Sequence, residues 1–230
     1  MLDKLYNKVY NIGVKEKRCE MNKSVYSVLL SDELVDKLDE VAYKKGVSRS
    51  VMLDRLLAEY LTVETAEMKM NNVFTEIGRL IERCAGLRFI DQPSGYMASV
   101  QSALAYKYNP TVKYSIELFP AGDLGQLKIS LRSKNVELMQ LMERFYDFFI
   151  SLERKYIGER AYGYDGGRFV RVMLRPEVSN EKTGKAIAEY VSDFDKYLRI
   201  FFSGLDDRRK AAREIEKVYA DNIRKKEVIL

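Results

Sequence analysis

The alternation of apolar and polar residues between positions 24 and 61 predicts one short strand followed by two helices. Within the strand, residues 24–30, successive side chains point to opposite faces. One face carries Tyr26, Val28 and Leu30, and the other carries Val25, Ser27 and Leu29. Apolar residues then recur at helical spacing from Leu34 to Ala42, Gly46 ends that helix, and Ser48 is suited to cap the next one.

A single strand of this length needs a partner. Its main-chain N–H and C=O groups would otherwise lack hydrogen bonds wherever helices cover them. No adjacent segment has the pattern of a second strand, so the simplest partner is the same strand of a second copy, placed antiparallel by a two-fold axis. The pattern therefore predicts a homodimer with a two-stranded ribbon and four helices packed behind it.

Three stretches of this segment resemble the ribbon-helix-helix family, the MetJ/Arc-type DNA-binding dimers. They are LSDEL at 30–34, KGVSRS at 45–50 and LLAEY at 56–60, and the resemblance covers residues 22–61. It implies that alternate ribbon side chains enter the major groove and that the start of the second helix binds a backbone phosphate. The DNA-binding positions that it implies are Lys23, Val25, Ser27 and Leu29 on the ribbon, and Ser48, Arg49 and Ser50 on the second helix.

The groove-facing side of this ribbon is less polar than the resemblance leads us to expect. Ser27 can donate and accept hydrogen bonds, whereas Val25 and Leu29 can only contact thymine methyl groups. Residues 21–61 also carry nearly balanced charge. Two interpretations stay open: a ribbon that binds DNA, or a dimerisation module whose apolar ribbon face is covered by another protein.

We divide the chain into four segments: an N-terminal extension (1–20), the ribbon-helix-helix module (21–61), a connecting or dimerisation helix (62–90) and a C-terminal domain (91–230). The connecting helix has apolar residues spaced alternately by three and four from Val63 to Cys84, which is typical of a heptad seam. This seam either forms a second dimer contact or is buried against the C-terminal domain. The turn-rich stretch DQPSG at 91–95 marks the predicted boundary.

The C-terminal segment predicts an α+β domain in the order βββαβαα. Strands are expected at 103–108, 111–119 and 126–133, a helix at 135–156, a strand in RFVRVMLRP at 168–176, and two further helices after Ser179. This order implies an antiparallel or mixed sheet with helices on one face. The loop GYDGG at 163–167 lacks the lysine and the strand–loop–helix setting of a phosphate loop, so we assign it no nucleotide.

The predicted sheet has one face rich in positive charge. We expect Val170, Val172 and Leu174 to point toward the core. The opposite face then carries Lys113, Lys128, Arg132, Arg171 and Arg175, with Glu117 among them. Such a face is either a platform for phosphates or single-stranded nucleic acid, with tyrosines nearby, or a solvated surface whose charges discourage edge pairing.

Composition narrows the chemistry further. The 230 residues include 2 cysteines and no histidine, and the formal net charge of +5 is compatible with a nucleic-acid partner. The lack of histidine removes His-based catalysis and most zinc, nickel or copper sites, and no carboxylates are spaced as a ligand set, so we expect no enzyme, no metal site and no cofactor. No apolar run reaches the roughly 18 residues of a membrane span, and the first residues lack a signal-peptide pattern, so we expect a cytoplasmic protein without membrane contact.

Together these features predict a homodimeric protein that binds double-stranded DNA. Transcriptional regulation is the expected function, and plasmid or replicon maintenance is the next. The C-terminal domain would sense a ligand, drive oligomerisation or recruit a protein partner. The alternative is a scaffold or adaptor that uses the ribbon-helix-helix fold only to dimerise.

Overall fold

The computed structural model describes residues 25–165 and 167–230. These residues form two compact units, one that ends at Lys69 and one that begins at Met70. The predicted boundary at 91–95 therefore lies inside the second unit. The predicted extension, residues 1–20, lies outside the described residues.

The N-terminal unit contains two helices, α1 (Asp32–Lys44) and α2 (Arg49–Tyr60), at the positions that the apolar spacing predicts. Gly46 between them has a φ of 64°, a left-handed conformation that glycine adopts without steric cost. Ser48 caps α2, because its hydroxyl accepts the N–H of Val51 at 3.4 Å. Residues 25–30, for which the sequence predicts a strand, have no regular secondary structure in the single chain.

The core of the N-terminal unit is small. It consists of Leu38, Ala42 and Met52, against which Val47 and Leu53 pack. Most of the exposed large apolar side chains of the described chain lie in this unit, between positions 25 and 63. Besides the predicted strand they include Leu34, Val41, Leu56, Leu57, Tyr60, Leu61 and Val63. A single copy of the unit therefore leaves much of its apolar surface in water.

Helix α3 (Ala66–Ile81) buries the central part of the stripe that the sequence predicts as a heptad seam, namely Met70, Val73 and Ile77. Its buried residues are Met70, Val73, Phe74, Ile77, Gly78 and Ile81. Gly78 lies against Phe89, where an added Cβ would be 3.5 Å from the ring. A Cβ on Gly184 would be 2.8 Å from the main-chain oxygen of Val73, so the approach there is closer still. These buried residues pack within their own chain. This agrees with the interpretation of the seam as a surface buried against the C-terminal domain.

The C-terminal unit is built on a six-stranded antiparallel sheet in the order β1-β2-β3-β4-β6-β5. The strands are β1 (Leu87–Ser94), β2 (Met97–Ala103), β3 (Thr111–Leu118), β4 (Gly125–Leu131), β5 (Tyr162–Asp165) and β6 (Arg168–Met173). Its other helices are α4 (Val136–Ile157), α5 (Asn180–Ser203) and α6 (Arg208–Lys225), with a 3-10 turn at Leu205–Asp207. The described chain is thus α+β with six α-helices, as predicted at the level of fold class. In this described part, each helix is too short or too polar to cross a membrane.

The helices of the C-terminal unit cover one face of the sheet. Tyr114 of β3 lies against Phe194 of α5, with ring centroids 6.2 Å apart. Phe169 of β6 stacks on Tyr146 of α4 at 4.9 Å, and α6 packs behind α4 and α5 through Tyr219. The other face of β3, β4 and β6 carries the exposed and half-buried positions of the alternating strands.

The strand order differs from the prediction at two places. Residues 87–103 form a hairpin, where the sequence predicts a break at 91–95 and a strand at 103–108. The small and polar side chains of MASVQSA give β2 little hydrophobic signal, although the strand pairs along its whole length with β3. Residues 162–165, expected in a loop, form the short edge strand β5. The observed order is ββββαββαα after α3.

Candidate nucleic-acid interface

The predicted ribbon segment is exposed in the single chain. Residues 25–30 all lie in solvent, with Val25 at 98% and Val28 at 66% relative exposure. They form no ladder with any described residue of their own chain. A segment with unpaired main-chain N–H and C=O groups can pair with a strand from another chain. Lys23, the first predicted ribbon contact, lies outside the described residues.

The start of α2 has the geometry of a weak anion site. The first N–H groups of any helix have no intrahelical acceptor, and in α2 these belong to Arg49 and Ser50. The positive end of the helix dipole lies at the same place. Ser48 uses its hydroxyl as the cap, so the site consists of main-chain N–H groups and the Ser50 hydroxyl.

The Arg49 side chain is bound to a carboxylate of α1. Its Nε donates to Oδ1 of Asp39 at 2.6 Å, and its Nη2 donates to the other carboxylate oxygen. These hydrogen bonds lower the pKa of Asp39 and raise the pKa of Arg49, so the pair is ionised at neutral pH. A phosphate would have to compete with Asp39 for this guanidinium. Of the three residues predicted to bind phosphate, Ser48 uses its hydroxyl as the helix cap, Arg49 is paired with Asp39, and Ser50 is exposed in the first turn of α2.

The open face of the sheet brings positive residues together on neighbouring strands. Lys113 of β3 is exposed, Lys128 of β4 is half-buried, and Arg132 follows β4 and is exposed. Lys128 Nζ donates to Glu117 Oε2 at 2.8 Å, and Gln126 Nε2 donates to the same oxygen at 2.7 Å. Partial burial raises the pKa of Glu117, but these two hydrogen bonds outweigh it and leave the pKa lowered. Glu117 is therefore ionised, and Lys128 neutralises it.

Arg171 does not lie on this face, which corrects the prediction. It is fully buried beside Phe169 on the helix-covered face, whereas Val170 and Val172 point the other way. The register of β6 is thus shifted by one residue relative to the hydrophobic pattern, and such a shift exchanges the two faces. The charged side chain of Arg171 can be buried because its Nε donates to Oε2 of Glu153 in α4 at 2.9 Å.

Arg171 belongs to a buried polar cluster under Leu230. Its Nη2 donates to the main-chain oxygen of Leu230 at 2.7 Å, and the Tyr162 hydroxyl donates to Glu153 at 2.6 Å. The guanidinium lies 4.6 Å from the ring centre of Tyr190. Burial alone lowers the pKa of Arg171, but the acidic neighbours Tyr190 and Glu153 outweigh it and leave the pKa raised. An adjoining cavity of about 20 Å³ has room for one water molecule, so the cluster is a structural tie between α4, β6 and Leu230.

Arg175, also predicted on the open face, binds main-chain carbonyls instead. Its Nη2 donates to the oxygens of Phe119 at 2.6 Å and Asp123 at 3.0 Å, and its Nε donates to that of Gly122 at 2.9 Å. All three carbonyls lie in the loop between β3 and β4. Because the loop uses these donors, we assign Arg175 to loop stabilisation and remove it from the candidate interface.

Two arginines of the open face were missed by the sequence analysis. Arg168 pairs with Ser130 across the β4–β6 ladder, and Arg88 pairs with Gln101 across the β1–β2 ladder. Both arginines are exposed. Arg168 is placed on this face by the observed alternation of β6, which the hydrophobic pattern of the sequence did not give. Arg88 lies in a strand that the pattern did not predict.

Neither a metal cluster nor a known relative assigns a function to this chain. Within the described residues, no three His, Cys, Asp or Glu side chains are arranged to hold a metal ion. Comparisons of the chain with protein-family models, with curated proteins and with solved structures found no match. A proposal of function therefore depends on the geometry above and on the resemblance of residues 22–61.

Proposed function

We propose that this chain is a homodimeric DNA-binding protein of the ribbon-helix-helix type that regulates transcription or maintains a plasmid or other replicon. The observation that supports it most is the exposed apolar surface of residues 25–63, in a unit whose own core consists of Leu38, Ala42 and Met52. A unit this small buries too little apolar surface to be stable by itself. A second copy would cover that surface and pair with residues 25–30.

The alternation of the ribbon assigns its two faces. In the proposed dimer, Tyr26, Val28 and Leu30 pack on the helices, and the opposite face enters the major groove. That face carries Ser27 between Val25 and Leu29. The N–H groups at the start of α2 then bind a phosphate on the flanking backbone, as helix N-termini commonly do.

Two observations favour the second candidate, a scaffold that uses the fold only to dimerise. Val25 and Leu29 have no hydrogen-bonding groups for base edges, and Arg49 is paired with Asp39. In the scaffold, another protein covers the apolar ribbon face, and the dimer has no affinity for DNA. The two candidates share the dimer and differ only in what the ribbon face contacts.

The alternation itself provides the experiment. Val28→Asp places a charge in the proposed dimer core, and we expect a single-chain species in sedimentation together with loss of DNA binding. Ser27→Asp is the matched control, because the same charge on the neighbouring residue lies on the groove face. We expect this variant to remain dimeric but to lose the contribution of the ribbon to DNA binding through repulsion from phosphates. A dimeric Val28→Asp protein would contradict the proposed dimer, and a dimeric wild-type protein without affinity for DNA would support the scaffold.

The Arg49–Asp39 pair provides a second test, in which a substitution is expected to strengthen DNA binding rather than weaken it. Asp39→Asn removes a carboxylate and releases the guanidinium, so we expect tighter binding to every DNA sequence and a steeper salt dependence. Arg49→Ala should weaken binding to all sequences alike, whereas Ser27→Ala should change the sequence preference. The measurement is an electrophoretic shift on mixed genomic fragments at two salt concentrations. If Asp39→Asn leaves the affinity unchanged, Arg49 is no part of the interface.

A further inference from the structure

A row of polar and positive residues crosses the open face of the C-terminal sheet. The ladders place Arg88 opposite Gln101, Gln101 opposite Lys113, Lys113 opposite Ser130, and Ser130 opposite Arg168. Adjacent strands are about 4.8 Å apart, so the three cations lie on alternate strands at intervals of about 9 to 10 Å. The register alone aligns these five residues, which are far apart in sequence.

Hydroxyl groups and further cations surround this row. A shallow depression of about 520 Å³ opens on the same face. It is lined by Thr111, Lys113, Ser115, Lys128, Ser130, Arg132 and Arg168. Every lining side chain is therefore a hydrogen-bond donor, four of them are positively charged, and none is apolar or aromatic.

Four cations of the open face have no ion pair with a described side chain, as is also the case for Arg213 and Lys217 of α6, whereas other helix cations are paired. On the helices, Lys155 binds Glu216 and Lys182 binds Glu227. By contrast, Arg88, Lys113, Arg132 and Arg168 make no ion pair with any residue whose side chain the structure describes. Lys128, which lies on the same face, forms an ion pair with Glu117. Among the described side chains, the charge of this row is therefore not neutralised by ion pairs.

We infer that the open sheet face binds the phosphate backbone of double-stranded DNA without reading its sequence. Lysine, arginine, serine, threonine and glutamine are the side chains that proteins use for phosphate and sugar contacts. Single-stranded nucleic acid is disfavoured because its binding sites stack bases on aromatic side chains, and the open side of β2, β3, β4 and β6 carries none. This site lies in the other compact unit and does not depend on the ribbon.

The test compares two charge-matched double variants of the full chain. Lys113→Gln/Arg168→Gln removes two cations from the open face, and Lys217→Gln/Arg213→Gln removes two from α6, where both side chains are exposed. The probes are a duplex of about 20 base pairs, a duplex of the same composition with scrambled sequence, oligo(dT) and polyglutamate, each titrated by fluorescence anisotropy from low to high salt. We expect the face variant to bind both duplexes more weakly and to the same degree. The slope of log affinity against log salt should fall by roughly 2, since each lost phosphate contact removes about 0.9.

The α6 variant is expected to keep the wild-type slope, and thermal unfolding of both variants should match the wild type. Equal losses in the two variants, or no change in the face variant, would overturn the inference. A larger loss on oligo(dT) than on duplex would replace it with a single-strand site. An equal loss of binding to polyglutamate would show a general surface for acidic partners and would also overturn it.

The two DNA sites can be separated experimentally. The same titrations in a Ser27→Asp background remove the proposed ribbon contribution. Residual duplex binding that disappears on adding Lys113→Gln/Arg168→Gln supports the sheet face even if the ribbon proposal fails. Loss of sequence preference with Ser27→Ala, together with an unaltered salt slope in the face variant, supports the ribbon and overturns the sheet face.

Discussion

The two compact units of this chain differ in how completely they bury their apolar residues. In the C-terminal unit, rings such as Phe145, Phe149 and Phe194 contact one another within 4.7 to 6.0 Å beneath the sheet. In the N-terminal unit, α1 and α2 enclose a core of Leu38, Ala42 and Met52. The C-terminal unit has the core of an independent domain, whereas the N-terminal unit leaves much of its apolar surface exposed.

The two units also differ in how deeply they bury their ion pairs. The C-terminal unit encloses a guanidinium and a carboxylate, Arg171 and Glu153, each with no exposed side-chain surface. The ion pairs of the N-terminal unit, such as Arg49 with Asp39, are exposed or half-buried. A closed interior can hold an ion pair in one geometry, and an open unit leaves its pairs available for exchange with a ligand.

The largest expected effect is on the buried pair. Glu153→Ala leaves the charge of Arg171 buried without its partner, so we expect the free energy of unfolding of the C-terminal unit to fall by ~3–5 kcal/mol. Arg171→Ala should cost a similar amount. Replacing both residues by apolar ones, in Glu153→Leu/Arg171→Met, should cost less than either single change because no unpaired charge remains. Urea unfolding followed by circular dichroism measures all three.

Lys155→Ala is the control for the buried pair. It breaks the exposed pair with Glu216, whose Nζ–Oε1 distance is 2.6 Å, and we expect no measurable change in the urea midpoint. If Glu153→Ala were as mild as Lys155→Ala, the cluster would not be a structural tie. The contrast between a closed and an open unit would then lose its clearest support.

The buried pair of Arg171 and Glu153 also shows which features of the fold the sequence pattern cannot predict. The α+β class and helices α1 to α6 follow from hydrophobic periodicity, because each buries a stripe that repeats with the helical period. The phase of β6 does not follow, because RFVRVML has apolar residues on both faces and Arg171 is buried only because Glu153 is folded against it. That partner is 18 positions away on another element, so no local pattern can indicate it.

The β1–β2 hairpin was missed for a related reason. Ser102 of β2 is buried, which a hydrophobic pattern assigns to solvent. Its hydroxyl accepts a hydrogen bond from Nη2 of Arg199 in α5 at 2.8 Å. This hydrogen bond offsets the free-energy cost of removing the hydroxyl from water. The row on the open face was only partly predicted for the same reason, since Arg88 lies on the missed strand.

The next effect is expected at high pH and is confined to the C-terminal unit. Burial raises the pKa of Tyr114, Tyr146 and Tyr190 above the ordinary value, because the charged phenolate is disfavoured in the core. A group with a raised folded pKa contributes its full stability below pH ~10 and loses it as the pH rises further. Each such tyrosine should therefore cost about 1.4 kcal/mol per pH unit above pH ~10.

Tyrosinate absorbance and circular dichroism, followed together from pH 8 to 13, measure this effect. The buried tyrosines should ionise in one step that coincides with loss of helical signal. The exposed Tyr26, Tyr43 and Tyr60 of the N-terminal unit have no such burial. Gradual ionisation of all tyrosines with the fold intact would contradict the description of the C-terminal unit as a closed core.

Dilution should affect the N-terminal unit alone. If two copies complete its core, each tenfold dilution lowers the stability of that unit by about 1.4 kcal/mol, whereas the C-terminal unit is unaffected. Hydrogen exchange at two protein concentrations measures this. We expect amides of α1 and α2 to exchange faster in the dilute sample and those of β3 and β4 to keep their rates. Concentration-independent protection of α1 and α2 would mean that one copy completes the core.

The smallest effect comes from removing one helix cap in each unit. Ser48 accepts the N–H of Val51 at 3.4 Å in α2, and Asn135 accepts the N–H of Leu138 at 3.1 Å in α4. We expect Ser48→Ala and Asn135→Ala each to cost about 1 kcal/mol. If the units unfold separately, Ser48→Ala lowers only the concentration-dependent transition and Asn135→Ala lowers only the other one. A calorimetric scan in which either change moves both transitions would show that the helix α3 joining the units couples them, and the comparison would then describe one cooperative domain.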